Sequence, residues 1–74
     1  MQVKVRLFAT FRAGRFTEEQ RTYPAGTSVA DVMRELEIAE DQVGMLMFNN
    51  RHVTADQVLE DGSSLGIFPY VGGG

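Results

Sequence analysis

Cysteine is absent from this chain. It can form no disulfide, no thioester through a side chain of its own and no thiolate metal site. Histidine is nearly absent: His52 stands alone. A metal centre would have to rest on carboxylates, and no group of them has the spacing of a calcium loop. All the serines and threonines would have to share that one imidazole, so Ser-His and Cys-His nucleophilic catalysis lack their parts. The expectation is a protein that is no enzyme by itself, with no bound metal. Long apolar runs are missing too. The longest, GMLMF, is far short of the ~20 residues that a membrane span needs. The first residues show no basic start followed by an apolar stretch and a small-residue cleavage site. A cytoplasmic location and no membrane partner are expected. The net charge of -3 argues against a nucleic-acid partner, which wants clustered Lys and Arg. It favours a basic groove on a protein partner.

What remains is enough for one small folded unit. Seventy-four residues make at most one domain, and such a domain buries only about 60% of its unfolded surface. Its core must be continuous, and a hydrophobic content of 43% can supply it. In MQVKVRLFA, Val3, Val5 and Leu7 fall on one face and Lys4, Arg6 and Phe8 on the other, which is a strand with one buried side. Gly14 marks a turn, and FTEEQRTYP predicts a second strand paired to the first as a hairpin. Glu18, Glu19 and Gln20 read there as a solvated loop or strand edge. In TSVADVMRELEI, Val29, Val32, Met33 and Leu36 form one apolar helical stripe that fades by Ile38. Ser28 is the expected N-cap, with Asp31 completing a short-armed capping box and Thr27 as the alternative cap.

GMLMFNNRHV predicts a third strand that turns at Asn49-Asn50, residues tolerant of positive φ. Leu46 and Phe48 are expected to face the helix, and Met45 and Met47 to face out, since thioethers suit an adaptable surface. ADQVLEDGSS reads as a loop with a turn at Asp61-Gly62 and room for one short helical turn. SLGIFPYV is the last strand, with Leu65 and Ile67 inward and Phe68 outward. One helix with one apolar stripe and one apolar sheet face predict a two-layer α+β domain.

The order strand, strand, helix, strand, strand resembles the ubiquitin-like β-grasp fold, a mixed sheet of four to five strands wrapped over one main helix. LFATFRAGR, GTSVADVMREL and FNNRHV resemble the opening, the helix entry and the Asn-led turn of sulfur carriers of the MoaD and ThiS type. LEDGSSLGIFPYVGGG resembles their ending, which closes on a diglycine. Within that group the chain is most similar to the small subunit of molybdopterin synthase. Three residues depart from the pattern: Tyr70 where proline is frequent, Gly72 where alanine or threonine is, and Ser63 where an acidic residue is usual.

The resemblance implies a β-grasp domain over residues 1–68 and a flexible tail over 69–74. It implies a carrier whose terminal Gly74 carboxylate is adenylated by an activating enzyme using ATP, with no cofactor bound by the carrier. A sulfur donor protein then makes the thiocarboxylate, which a large subunit uses in building the molybdenum (or tungsten) cofactor. Gly72 and Gly73 lack a Cβ that could clash with a narrow channel. From Pro69 to Gly74 an extended tail could span roughly 20 Å. Lys4 is the only lysine, which favours a carrier over a chain-forming modifier. Phe8, Met47, His52, Phe68, Pro69 and Tyr70 are the residues expected to meet partners, on the outer face of the sheet. Three alternatives stay open: sulfur delivery to thiamine thiazole or to tRNA, a ubiquitin-like protein modifier, and a non-covalent interaction module whose tail has no role.

Overall fold

The computed structural model describes residues 1–70; residues 71–74, and with them the expected roles of Gly72, Gly73 and Gly74, lie outside the described residues. Among the described residues, five strands form one mixed sheet: β1 (Gln2–Leu7), β2 (Glu18–Thr22), β3 (Val43–Phe48), β4 (Arg51–His52) and β5 (Ser63–Pro69). The order across the sheet is β2-β1-β5-β3-β4. β1 and β5 run parallel, with Val5 beside Leu65 and Leu7 beside Ile67; the other neighbours are antiparallel. One helix, α1 (Val29–Glu35), supplies the second layer. This is the ubiquitin-like β-grasp arrangement that the resemblance implies.

The inward set of the sheet is the alternating one. Val3, Val5, Leu7, Phe48, Leu65 and Ile67 have no exposed surface, and Leu46 is buried with them against Val29, Val32 and Met33 of α1. Glu18, Glu19 and Gln20 belong to β2 and are exposed, as befits an edge strand made of charge. Ser28 caps α1 as predicted: its Oγ accepts from the Asp31 N–H, and the Asp31 carboxylate accepts from the Ser28 N–H. Those bonds and the Arg34 guanidinium hold the Asp31 carboxyl below the ordinary aspartate range. Asn49 and Asn50 both take positive φ, 50° and 67°, in the β3–β4 turn. The Asn49 side chain also accepts from the Ser64 N–H, which ties that turn to β5.

Four elements differ from the sequence reading. The helix stops at Glu35, and Leu36 is its half-buried cap rather than a fully buried member of the stripe. Glu37 takes φ 60° there, and the Ile38 N–H returns to the Met33 carbonyl at 2.8 Å. This is a Schellman closure with glutamate where glycine is usual. Arg15 Nε supports it by donating to the Leu36 carbonyl at 2.9 Å. Ile38, where the stripe seemed to end, is folded back into the core. A 3-10 turn at Ala9–Arg12, unpredicted, buries Phe11. Residues 53–62 contain no helical turn; Leu59 is buried there, its N–H bonded to Thr27 and the segment bridged to Ser28 through Val58. Finally, Pro69 and Tyr70 were expected to open the tail. Pro69 instead closes β5 opposite Val43, and the Tyr70 N–H donates to the Gln42 carbonyl at 2.8 Å.

Tyr23, also buried, keeps its hydroxyl in a small polar network. The phenol donates to Glu35 Oε1 and accepts from Arg21 Nε, both at 2.8 Å. Burial, with Glu35 as acceptor, pushes its pKa up from 10.0 to about 12. Between those pH values the unfolded chain has lost the phenolic proton and the folded chain keeps it. The contribution is therefore complete below pH 10 and disappears as pH rises towards 12. Urea midpoints should fall across that interval more steeply for the parent than for Tyr23→Phe; parallel curves would contradict the assignment.

Candidate functional site

The sheet covers its core with one face and leaves the other open, so residues of opposite parity collect there. Phe8 follows the end of β1, and β5 places Phe68 beside it. The two rings stack with centroids 3.9 Å apart and planes 7° from parallel. Stacking at that distance needs room beneath it, and Gly66 provides the room. A methyl built on Gly66 would meet Phe68 at 3.3 Å and Phe8 at 3.4 Å. The rings lie over the glycine and bury it.

β3 extends the surface. Met45 is paired with Phe68, and Met47 with Gly66 on one side and His52 of β4 on the other. The result is a hollow of about 240 Å³ whose lining includes Arg6, Phe8, Met45, Met47, His52 and Phe68. Its aromatic and thioether side chains are half-buried and His52 is exposed. A hollow with an apolar floor and a polar margin suits a protruding apolar side chain of another protein.

The charges beside it are positive, although the chain is acidic overall. The guanidinium carbons of Arg6 and Arg12 stand 5.4 and 5.6 Å from the centre of the Phe8 ring. Arg12 is fixed by donating from Nε to the Leu7 carbonyl at 2.9 Å. Arg6 and Lys4 share Glu18, at 3.3 and 3.9 Å. The expectation of a basic partner groove came from the total charge and does not describe this face. Arginines near an apolar centre complement acidic groups on a partner.

Four of the six residues expected to meet partners, Phe8, Met47, His52 and Phe68, line this one hollow. Pro69 and Tyr70 do not line it. They lie at the end of β5, where the chain leaves the sheet, and Tyr70 is 70% exposed. Met45 and Arg6 were read as facing outward but were not among the residues expected to meet partners, and Gly66 was not singled out. The signals were available: Met45 shares the parity of Met47, and a glycine inside a strand marks a close approach. Among the described residues no cluster of His, Asp and Glu could hold a metal ion.

Comparison with known proteins bears on the whole chain. The model of the ThiS family matches residues 5–74. A structure assigned as subunit 1 of a molybdopterin converting factor, from Pyrococcus furiosus, is 33% identical with a TM-score of 0.75; the match covers 96% of this chain and 99% of that one. The complex of subunits 1 and 2 of the molybdopterin-converting factor from Helicobacter pylori matches at 20% identity and a TM-score of 0.65, covering 100% of both chains. Small archaeal modifier protein 1 of Haloferax volcanii matches at 17% identity and a TM-score of 0.73, covering 95% of this chain and 98% of that one. The last two likenesses establish fold alone. No curated protein matches the chain.

Proposed function

This chain belongs to the ThiS family, and on that premise we propose that it is a sulfur carrier whose Gly74 carboxylate is converted to a thiocarboxylate. A carboxylate is a poor electrophile. Attack of its oxygen on ATP, in the site of an activating enzyme, releases pyrophosphate and leaves an acyl-adenylate. A sulfur nucleophile from a donor then displaces AMP, and the terminus carries sulfur in place of one oxygen. The catalytic groups for both steps belong to partners, which fits a chain with no cysteine and one histidine.

The observation that carries this reading is the stacked Phe8–Phe68 hollow lying on the strand that leads into the tail. Docking there holds the body while residues beyond Tyr70 enter a partner's site. Four residues follow Tyr70, and covalent geometry limits their reach to about 13–14 Å. The reading requires a chain that ends at Gly74. The receiving pathway we favour is assembly of the molybdenum cofactor, with a large subunit as partner. The supporting likeness is to the Pyrococcus furiosus subunit 1 at 33% identity. No helix among the described residues is long and apolar enough to cross a membrane, and a cytoplasmic setting accompanies the proposal.

Incubation with an activating enzyme, ATP and inorganic sulfide tests it by intact mass. The expected product is heavier by one sulfur-for-oxygen exchange. Adducts joined to lysines of other proteins would indicate a modifier instead, and an unchanged mass would remove the carrier reading.

A further inference from the structure

The junction between the folded body and the tail depends on a glycine that is not part of the tail. The ladder between β3 and β5 pairs Val43 with Pro69 and Met45 with Phe68, so Gly44 is an extra residue, a bulge in β3. Gly44 is not among the glycines with positive φ, so its backbone conformation does not demand glycine. Space does. A methyl built on it would lie 2.8 Å from the Pro69 carbonyl oxygen, 2.8 Å from Tyr70 Cα and 3.1 Å from Tyr70 N. All three are backbone atoms and cannot rotate aside as a side chain can.

Next to this contact the Tyr70 N–H donates to the Gln42 carbonyl at 2.8 Å. The last described peptide thus crosses the start of β3 pressed flat against Gly44 and fastened to Gln42. Both attachments are to backbone, so they fix the direction of the main chain as it leaves the sheet. The same stretch of β3 and β5 carries Met45 and Phe68, two walls of the docking hollow. A partner that grips the hollow therefore meets a chain whose backbone is fixed as far as Tyr70.

We propose that Gly44 is a positioning residue that sets the line along which the C-terminal residues enter the activating enzyme. The inference rests on the carrier reading above. With a β-carbon at position 44, the Pro69–Tyr70 backbone must withdraw by about 0.7 Å to regain an ordinary contact near 3.5 Å. The displacement arises at the root of the segment that the carrier reading sends into the partner, so it moves the point from which that segment must start. Misplacement on the order of 1 Å can cost a reaction as much as a hundredfold. Gly44 touches neither substrate nor reacting atoms and acts only through the path of the chain.

Two measurements test this. In the unsubstituted protein the Tyr70 amide should exchange with solvent at least about tenfold more slowly than in an unstructured peptide. Exchange at the free-peptide rate would overturn the proposal before any variant is made. In Gly44→Ala, Tyr70 protection should be lost while the amides of Val5, Leu65 and Ile67 keep theirs. Pyrophosphate release by the activating enzyme should then fall at least about tenfold in kcat, with KM changed by less than about twofold. A merely structural role would lower core protection together with turnover, and unchanged kcat would equally refute the inference. If the unsubstituted chain is not adenylated at all, the carrier reading fails, and the Tyr70 exchange rate still decides whether the anchor exists.

Discussion

Replacement of Gly74 by alanine, or addition of one alanine beyond it, is expected to reduce thiocarboxylate formation by at least about a hundredfold and to leave thermal unfolding unchanged. The two variants probe different demands. Gly74→Ala keeps the carboxylate at the same chain position and adds one methyl beside the acyl carbon, which the narrow channel supposed by the carrier reading would not accommodate. The extension leaves Gly74 intact but moves the carboxylate onward by about 3.3–3.6 Å, past the position from which its oxygen would attack ATP. Stability should be indifferent to both, because among the described residues the buried core runs from Val3 to Ile67. Time courses of intact mass, with parent and variants at equal concentration, give the comparison. Charging of either variant at the parental rate would show that the terminus is not the working group.

The parts of this molecule that could be read from its sequence are those whose cause is local. Val3, Val5 and Leu7 alternate because one face of β1 is covered by α1 and the other is not. Ser28 and Asp31 announce the helix start because a capping box is made within four residues. Asn49 and Asn50 mark the hairpin because few other residues accept two successive positive φ angles. Phe11, Tyr23, Ile38 and Leu59 belong to the same core and carry no such sign. They sit in turns and irregular segments, where burial is decided by distant partners and no period recurs. The helix end was misjudged for a related reason: Glu37 occupies a conformation that usually signals itself with glycine.

The candidate site divides in the same way. Phe8, Met47 and Phe68 could be assigned to one surface, because strand parity and the β-grasp order together bring their strands side by side. What could not be foreseen was the depth of that surface. It follows from Gly66 lying beneath two rings and from the turn of β4 that brings His52 to the edge. The bulge at Gly44 was also invisible, since a register shift depends on two strands and is written in neither alone. The fastening of Pro69 and Tyr70 accompanies that shift, so these two residues are held to the sheet where the resemblance implied that the tail would already have begun.

Phe68→Ala is expected to weaken binding to a large-subunit partner by about thirtyfold, the range of an interfacial hot spot of some 2 kcal/mol, with Phe8→Ala close behind. Each ring forms part of the hollow and also holds the other in place at 3.9 Å. Removing one therefore loosens the second, and the losses should not add. A double-mutant cycle should show a coupling of about 0.5–1.5 kcal/mol, the range for stacked aromatic pairs. Stability should change little in comparison, because both rings lie on the face away from the core and neither belongs to the buried cluster. The contrast is with Phe48, which has no exposed surface and whose truncation should cost about 3–5 kcal/mol of folding energy without touching the partner surface. Calorimetric titration of the partner with each folded variant separates the two kinds of residue. Affinity for Phe68→Ala equal to that of the parent would mean that the stacked pair merely decorates the sheet, and that partners approach the tail from some other side.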